Sequence, residues 1–476
     1  MPREPVKTPT TREIIPLAAA VMTGVLSTSF SAIFANIALP HIMADFAVGQ
    51  STAHWIITGF VTVATLTMLM AGWCTDTLGL RRLFLGNVLV FLVASLVGGF
   101  ASQLGVLIAA RTVQGAVMGF VSVTALIALF SAFPIEKRGR AGALFGLGMA
   151  LAPTIGPTVS GFIVEWWGWR SIFFVPMPLA LISFLLGYRI LPSTTDSNRA
   201  PKRQFDWGGF FLTTTFLALL FGGASYLQQN GWPIARLTAY AAGLAILLVS
   251  LVAYESRRHD PLLALPLFKY RVFTASALVS FLYGMGLWGS AYLVSLYLQE
   301  GVGLGPLATG LVMLPSGVVL CLLLPLGGRL IDRYPAYRVV TAGLIFSAAA
   351  FLSLGVTPKS TSLMIFALLI TLSRGLGLGI MIPGLDATAT RGLPAAMMND
   401  GVAMMNFLRQ LGGAMSPTLL MLIYEWRLQA NTAAAAITPG QTTTAAMLSY
   451  QQTALLLGAI FLAGILPAVK MRLTKP

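Results

Sequence analysis

Apolar segments of 17 to 27 residues alternate with short polar segments along most of the chain. The hydrocarbon core of a bilayer is crossed by about 20 residues of α-helix, so each segment is predicted to span a membrane. The pattern therefore predicts an all-α polytopic membrane protein with fourteen transmembrane helices. These spans are predicted at 14–38, 52–72, 83–101, 105–131, 141–163, 171–191, 207–226, 237–254, 273–298, 306–327, 339–355, 361–386, 400–424 and 452–470.

Composition agrees with this pattern and excludes a soluble protein. Of 476 residues, 57% are hydrophobic and 9% are charged, whereas soluble domains contain about 25% charged residues. The net charge of +15 would suggest nucleic-acid binding in a soluble protein. In a polytopic protein the same excess is expected in the cytoplasmic loops, so no nucleic-acid partner is predicted.

The basic residues give the predicted orientation. With both termini in the cytoplasm, 23 of the 30 Lys and Arg residues lie on the cytoplasmic side and four lie in the opposite loops. The other three, Arg111, Arg374 and Arg409, fall inside spans. The register thus satisfies the positive-inside rule. The first apolar run lacks a small-residue cleavage site and is expected to be a retained span, not a signal peptide.

Two halves of the chain resemble each other at a nearly constant offset. Asp76 and Asp332 are 256 residues apart, and Pro153 and Pro417 are 264 apart. Removing the two spans within 207–271 reduces the offset to the length of six helices, as in transporters built from repeats. The predicted organisation is a cytoplasmic tail (1–13), a six-helix bundle (14–191), a linker with two inserted spans (192–271), a second six-helix bundle (272–470) and a cytoplasmic tail (471–476).

Three motifs lie within the first bundle. Gly72–Arg82 follows span 2, Arg111–Gly115 lies in span 4, and Gly148–Gly161 lies in span 5. They resemble the loop, span 4 and antiporter motifs of the major facilitator superfamily. Together with the fourteen spans, they are similar to the drug:proton antiporters of the EmrB/QacA type. This resemblance implies the major facilitator fold, with two six-helix bundles plus an inserted pair of helices. It also implies a transporter that exports its substrates by alternating access.

The loop after span 2 is the predicted gate. Its glycines allow a tight turn and close helix approach, and Asp76 can pair with a basic group or cap a helix. The alternative is that the loop's arginines only fix topology. The predicted gating residues, including a weaker repeat after span 10, are Gly72, Asp76, Gly79, Arg81, Arg82, Asp332 and Arg333.

Span 5 is predicted to bend or seal against a neighbouring helix. Its glycines leave a bare face, and its prolines interrupt backbone hydrogen bonding. The alternative is ordinary helix packing. The residues of this hinge, or antiporter motif, are Gly148, Pro153, Gly156, Pro157 and Gly161.

Coupling is expected to involve charged groups inside the membrane, where each is costly and therefore functional by default. Arg111 is expected to bind carbonyls of a neighbouring helix or to sense a protonatable site, with Gln114 on the same helix face; simple snorkelling is the alternative. Relatives of this type usually carry an aspartate where Ser31 stands, and a serine exchanges no proton. The predicted substitute acid is Asp386, late in span 12, with Arg374 as a further coupling residue. The alternative acids are Asp400, Glu165, Glu300 and Glu425; all five lie away from the span centres, where a loop-edge charge is the other interpretation.

Aromatic and methionine side chains in spans 1, 4, 9, 12 and 13 are predicted to line the cavity, because such surfaces adapt to varied apolar ligands. Lipid or core contact is the alternative for each residue. The predicted substrate-binding residues are Phe30, Ser31, Phe34, Met118, Tyr283, Trp288, Tyr292, Met381 and Asn406.

The sequence contains no nucleotide-binding loop, catalytic triad or metal-ligand spacing. We therefore predict a gradient-driven transporter with no enzymatic activity, cofactor or metal. The predicted function is export of small amphipathic compounds across a bacterial inner membrane, in exchange for protons. Its partners would be these substrates, protons, the lipid bilayer and a periplasmic adaptor protein. The alternatives are a transporter of one metabolite without proton coupling and a non-transporting scaffold or sensor.

Overall fold

The described part of the chain is built from helices joined by short turns and coil, as the apolar pattern predicts. The computed structural model describes residues 11–53, 55–134, 137–191, 204–224, 226–227, 234–258, 260–356, 363–434 and 442–472. The principal helices in chain order are α1 (Thr11–Phe46), α2 (Trp55–Leu78), α3 (Leu80–Gly99), α4 (Leu104–Ala132), α5 (Arg138–Trp167), α6 (Met177–Ile190), α7 (Trp207–Ala218), α8 (Ile234–Glu255), α9 (Arg271–Leu296), α10 (Pro306–Arg333), α11 (Ala336–Gly355), α12 (Leu363–Ile370 and Gly379–Arg391, joined by the π-helical Thr371–Leu378), α13 (Met398–Ala434) and α14 (Thr442–Ala463).

Twelve helical stretches among the described residues are long and apolar enough to cross a bilayer. Two predicted spans lie outside this set. The helix through Trp207–Gly223 is apolar but shorter. The helix α13 is 37 residues long, but Asp400, Arg409 and Glu425 lower its hydropathy. The count of fourteen therefore stays a prediction.

Several boundaries differ from the apolar pattern. The first helix continues through Pro40 to Phe46, because a proline interrupts one backbone hydrogen bond without necessarily ending a helix in a packed environment. Likewise, α13 extends to Ala434, into a segment that lacks an apolar pattern. Residues 1–10 of the predicted N-terminal tail, 473–476 of the C-terminal tail and 435–441 of the predicted outer loop lie outside the described residues.

Two compact units follow from the packing. The first comprises Met1–Phe205 with Pro394–Ala403, and the second comprises Asp206–Leu393 with Met404–Pro476. The predicted inserted pair, α7 and α8, thus clusters with the second unit. The predicted domain limits at 191 and 272 stay predictions.

The first unit is held by close helix packing and an aromatic core. A Cβ at Gly115 of α4 would collide with the backbone carbonyl of Phe60 in α2, so these helices approach more closely than larger side chains permit. A buried cluster at one end of the unit includes Phe34, Trp169 and Phe173. This packing fixes α1, α2 and α4 around the polar residues described below.

In the second unit, Gly284 of α9 allows a close approach between two helices, as Gly115 does in the first unit. A Cβ there would collide with the backbone carbonyl of Arg409 in α13. A smaller buried cluster contains Ile331, Ala336, Val339 and Ile380. The close approach of α9 to α13 brings Tyr283 beside the arginine of α13.

Candidate functional site

Arg111 lies at the centre of a buried polar network in the first unit. Its side chain is 2% exposed. One terminal nitrogen, Nη1, donates to Ser31 Oγ at 2.9 Å, to the Ser31 carbonyl at 3.2 Å and to Gln114 Oε1 at 2.8 Å. Gln114 Nε2 in turn donates to Ser95 Oγ at 2.9 Å. The Arg111 guanidinium thus joins α1 to α4, and the Gln114 amide extends the network to α3.

Among the described residues, all groups that accept a hydrogen bond from the Arg111 guanidinium are neutral. Its Cζ also lies 4.3 Å from the centre of the Phe60 ring, in a cation–π contact. Ser31 serves Arg111 as a hydrogen-bonding partner through both its hydroxyl and its carbonyl. The predicted contact of Arg111 with a neighbouring helix carbonyl is thus present, and its role in coupling stays a prediction.

A buried ion pair joins α12 to α13 in the second unit. Asp386 is 1% exposed and Arg409 is 5% exposed. Arg409 Nη2 donates to Asp386 Oδ1, and the guanidinium lies 6.0 Å from the centre of the Tyr283 ring. Asp386 Oδ2 and Arg409 Nε and Nη1 have no hydrogen-bond partner among the described residues. The hydrogen-bonding groups of this ion pair are therefore only partly paired. Protonation of Asp386 would leave the positive charge of Arg409 without a counter-charge.

The position of Asp386 near the end of a span suggested a loop-edge charge, whereas the structure buries it. Asp386 is a candidate from the sequence, whereas its pairing with Arg409, 23 residues later, was not predicted. The available signal was the presence of opposite charges inside two consecutive spans.

Arg374 lies 263 residues after Arg111, close to the offset between the two predicted halves, but it has different surroundings. It lies in the π-helical segment Thr371–Leu378, and π-helical turns are frequent at functional sites. Its Nε is buried and has no hydrogen-bond partner among the described residues. The side chain acts electrostatically on Tyr283. Arg374 and the Asp386–Arg409 pair thus converge on one tyrosine.

The last turns of α2 make a specific contact within the first unit, because the helix continues past the predicted span end at 72 to Leu78 and includes Gly72 and Asp76. Asn399 Nδ2 donates to Asp76 Oδ1 at 2.6 Å, across 323 positions of sequence. A Cβ at Gly72 would lie 2.8 Å from Asp400 Oδ1 and 3.3 Å from its Cα, so the glycine permits this approach. Gly79 has a φ of 83° and makes the turn into α3.

The other predicted gating residues have less constrained surroundings. Arg81 Nη2 donates to the Tyr188 carbonyl at 2.5 Å, while Arg82 is exposed at the start of α3. At the end of α10, Asp332 is half-buried and Arg333 is exposed. The structure therefore gives Asp76 a long-range partner and places both exposed arginines at helix ends.

The glycine face of α5 packs against α1 over part of its length. A Cβ at Gly148 would lie 2.7 Å from Met22 Cε, and one at Gly156 would lie 2.9 Å from Ile33 Cγ2. A Cβ at Gly161 would meet nothing within 4 Å. Pro153 and Pro157 lie inside the continuous helix. The motif therefore provides close packing at two of its glycines.

The predicted substrate-binding residues divide by burial. Residues with buried side chains are Ser31, Phe34, Met118, Tyr283, Met381 and Asn406. Half-buried ones are Phe30, Trp288 and Tyr292. Phe34 packs in the aromatic core of the first unit, and Tyr292 Oη donates to Met421 Sδ at 2.8 Å. Phe30, Trp288 and Tyr292 are the members of the set with accessible surface in this conformation.

Comparison with known families decides the identity of this architecture. Residues 20–417 match the Major Facilitator Superfamily. The chain belongs to this superfamily. It is therefore a multi-pass membrane transporter and not an enzyme.

Relatives within the superfamily have different described substrates. The multidrug transporter protein MdtP of Bacillus subtilis (strain 168) is 28% identical over 84% of this chain and 74% of its own. The riboflavin transporter RibZ of Clostridioides difficile (strain 630) is 26% identical over 89% of this chain and 92% of its own. The human organic anion transporter MFSD10 (TETRAN) has the same fold, with a TM-score of 0.66 and 16% identity over 98% of this chain and 100% of that chain.

For this superfamily member, Asp76→Asn is expected to lower export about fivefold without reducing the amount of protein in the membrane. A neutral amide would weaken the bond to Asn399 by about 1 kcal/mol, enough to shift a conformational equilibrium about fivefold. Efflux from loaded vesicles measures the change. Asn399→Ala should cause a similar loss, and the double variant should be no worse than either single one. Wild-type efflux from Asp76→Asn would count against a gating contact.

Gly156→Val is expected to destabilise the transporter by about 1–3 kcal/mol, because the added side chain must displace Ile33 in α1. Gly161→Val is the matched control, since it makes the same change in the same helix beside open space. Thermal unfolding in detergent and efflux rate should both fall for Gly156→Val alone. Equal losses in the two variants would show that the packing face of α5 is not the reason.

Proposed function

We propose that this transporter exports small amphipathic compounds in exchange for protons, and that Asp386 is the group that carries the proton. The buried Asp386–Arg409 pair is the observation that supports this most strongly. A carboxylate inside the membrane that is only partly compensated can alternate between charged and neutral forms. Ser31 cannot take this role, because its hydroxyl does not titrate at physiological pH.

The proposed cycle uses the pair as a switch. With Asp386 ionised, Arg409 is held in the ion pair. Protonation neutralises Asp386 and weakens its attraction for Arg409, so α12 and α13 are free to repack. The neighbouring Tyr283 and Arg374 would respond to the same change in charge. Release of the proton on the opposite side would restore the pair and complete the exchange.

Other parts of the proposal rest on the motifs and on the relatives. We place the protein in the 14-span drug:proton antiporter group, in a bacterial inner membrane with both termini in the cytoplasm. The end of α2 with Asp76 would act as the gate, and the glycine face of α5 would limit leakage. The multidrug relative MdtP favours varied amphipathic substrates. Co-purification with a periplasmic adaptor tests the remaining predicted partner.

Transport of one metabolite without proton coupling is the second candidate. The match to the riboflavin relative RibZ extends over a larger share of this chain, and of the relative's own chain, than the match to MdtP does. In addition, a serine, Ser31, stands where the acid of the first span is expected. We do not propose a scaffold or sensor, because the family and both relatives are transporters.

An efflux assay separates the two functions. Cells lacking their major exporters are loaded with a panel of dyes and antibiotics, and efflux is followed before and after the proton gradient is dissipated. The proposal predicts efflux of several compounds that stops without the gradient. Gradient-independent movement of a single compound would support the second candidate and overturn the first.

A further inference from the structure

Two carboxylates that belong to none of the groups described above lie near each other, one at the start of α7 and one at the end of α8. Asp206 precedes α7 and caps it, accepting from the Gly209 backbone N–H at Oδ1 (3.0 Å). Glu255 is the last residue of α8 and is 1% exposed. Its Oε2 accepts from the Leu263 backbone N–H at 3.3 Å. One oxygen of each carboxylate is thus already bonded to a donor.

The other two oxygens are both directed at Gly209 in α7. Asp206 Oδ2 and Glu255 Oε1 are both buried and have no hydrogen-bond partner among the described residues. A Cβ at Gly209 would lie 2.6 Å from Asp206 Oδ2 and would collide with Glu255 Oε1, so both oxygens reach the same point beside the glycine. Two ionised carboxylates in this arrangement would repel each other with little solvent to screen them.

The surrounding groups hold the pair in place but do not bridge it. Tyr254 Oη donates to Asp206 Oδ1 at 3.0 Å and accepts from Arg258 Nε at 2.9 Å. Asp206 and Arg258 act electrostatically on Glu255. Arg258 is exposed, and its guanidinium bonds to Tyr254. The facing oxygens therefore need a bridge of another kind.

We propose that Asp206 and Glu255 bind one proton between them, as an O–H···O⁻ hydrogen bond that clasps the start of α7 to the end of α8. A single proton matches two facing oxygens, as in carboxylate pairs that share one proton. Ca²⁺ takes about six to eight oxygen ligands and Mg²⁺ about six, and the described residues contain no group of three or more acidic, histidine or cysteine side chains that could hold a metal. Loss of the proton would leave two like charges in contact and open the clasp.

Infrared difference spectroscopy on the full-length protein in lipid nanodiscs tests this inference without any transport assay. Spectra recorded at neutral and alkaline pH should show a protonated carboxyl C=O band that is lost on the alkaline side and shifts in D₂O. Glu255→Gln and Asp206→Asn should each remove one titrating carboxyl band. The exposed Glu165 of α5 provides the control, and Glu165→Gln should leave this band unchanged.

Thermal unfolding checks that the variants fold and adds a second readout. The glutamine of Glu255→Gln can donate an N–H to Asp206 Oδ2, so this variant should keep its melting temperature at alkaline pH, where the wild type loses stability. An unchanged carboxyl band in both Glu255→Gln and Asp206→Asn would overturn the proposal. So would a melting temperature that rises with Na⁺ or Mg²⁺ at constant pH in the wild type but not in Glu255→Gln, because that result would assign a metal cation.

Discussion

Asp386→Asn is expected to abolish gradient-driven export and to destabilise the protein, because it removes the proposed proton carrier and leaves Arg409 buried without its counter-charge. Breaking a buried ion pair by removing one partner costs about 3–5 kcal/mol. The loss of export could then follow from unfolding alone. A second variant is needed to separate the two effects.

The double variant Asp386→Asn with Arg409→Gln removes both charges and keeps side chains that can hydrogen-bond to each other. Replacing both members of a buried pair is often close to neutral for stability. We therefore expect its melting temperature to return toward the wild-type value while gradient-driven export stays absent. Purified protein serves for the thermal unfolding, and inverted vesicles serve for substrate transport driven by an imposed pH gradient. Export by the double variant at the wild-type rate would contradict a role for Asp386 in coupling.

Arg111→Met is the second substitution with a large expected effect. It removes the donor that serves the Ser31 carbonyl and Gln114 Oε1. Each hydrogen bond to a charged donor contributes about 1.5–3 kcal/mol, while Ser31 Oγ stays as a donor to Gln114 Oε1 at 3.2 Å. We expect export to fall to background and the melting temperature to drop, because α1 and α4 lose the guanidinium that joins them.

Two comparisons make the Arg111 result specific. Arg189→Met makes the same change at an exposed arginine in the last turn of α6, and it should leave export and stability near the wild type. Ser31→Ala removes one hydroxyl but keeps the backbone carbonyl and Gln114 as acceptors, so its loss should be smaller than that of Arg111→Met. Equal behaviour of Arg111→Met and Arg189→Met would show that the network is not required.

Much of the fold could be predicted from the sequence because few backbone structures are stable in the lipid bilayer. A helix satisfies its own backbone hydrogen bonds in the membrane, so apolar runs of sufficient length give the position of most helices. The pattern is weaker where function adds polar residues, as in α13, which includes Asp400 and Arg409 and falls outside the twelve apolar spans. It also missed the continuation of α1 beyond Pro40, because packing of the following residues compensates for the proline.

The candidate site was predictable within single helices but not between them. Gln114 lies three residues after Arg111, so their contact follows from helical geometry. The contact of Arg111 with Ser31 and that of Asp386 with Arg409 depend on which helix faces pack together, and one sequence does not specify those faces. The same holds for Asp206 and Glu255, whose facing oxygens depend on the close approach allowed by Gly209.

The central claim is that proton exchange depends on Asp386 in α12 and not on an acid in α1. The most direct measurement is proton release during transport by the purified protein in liposomes that contain a pH-sensitive dye. Addition of a transported substrate to the wild type, with a pH gradient imposed, should produce proton flux opposite to substrate flux. The Asp386→Asn, Arg409→Gln double variant should bind substrate but move no protons. Substrate-dependent proton flux at the wild-type level in that variant would contradict the account.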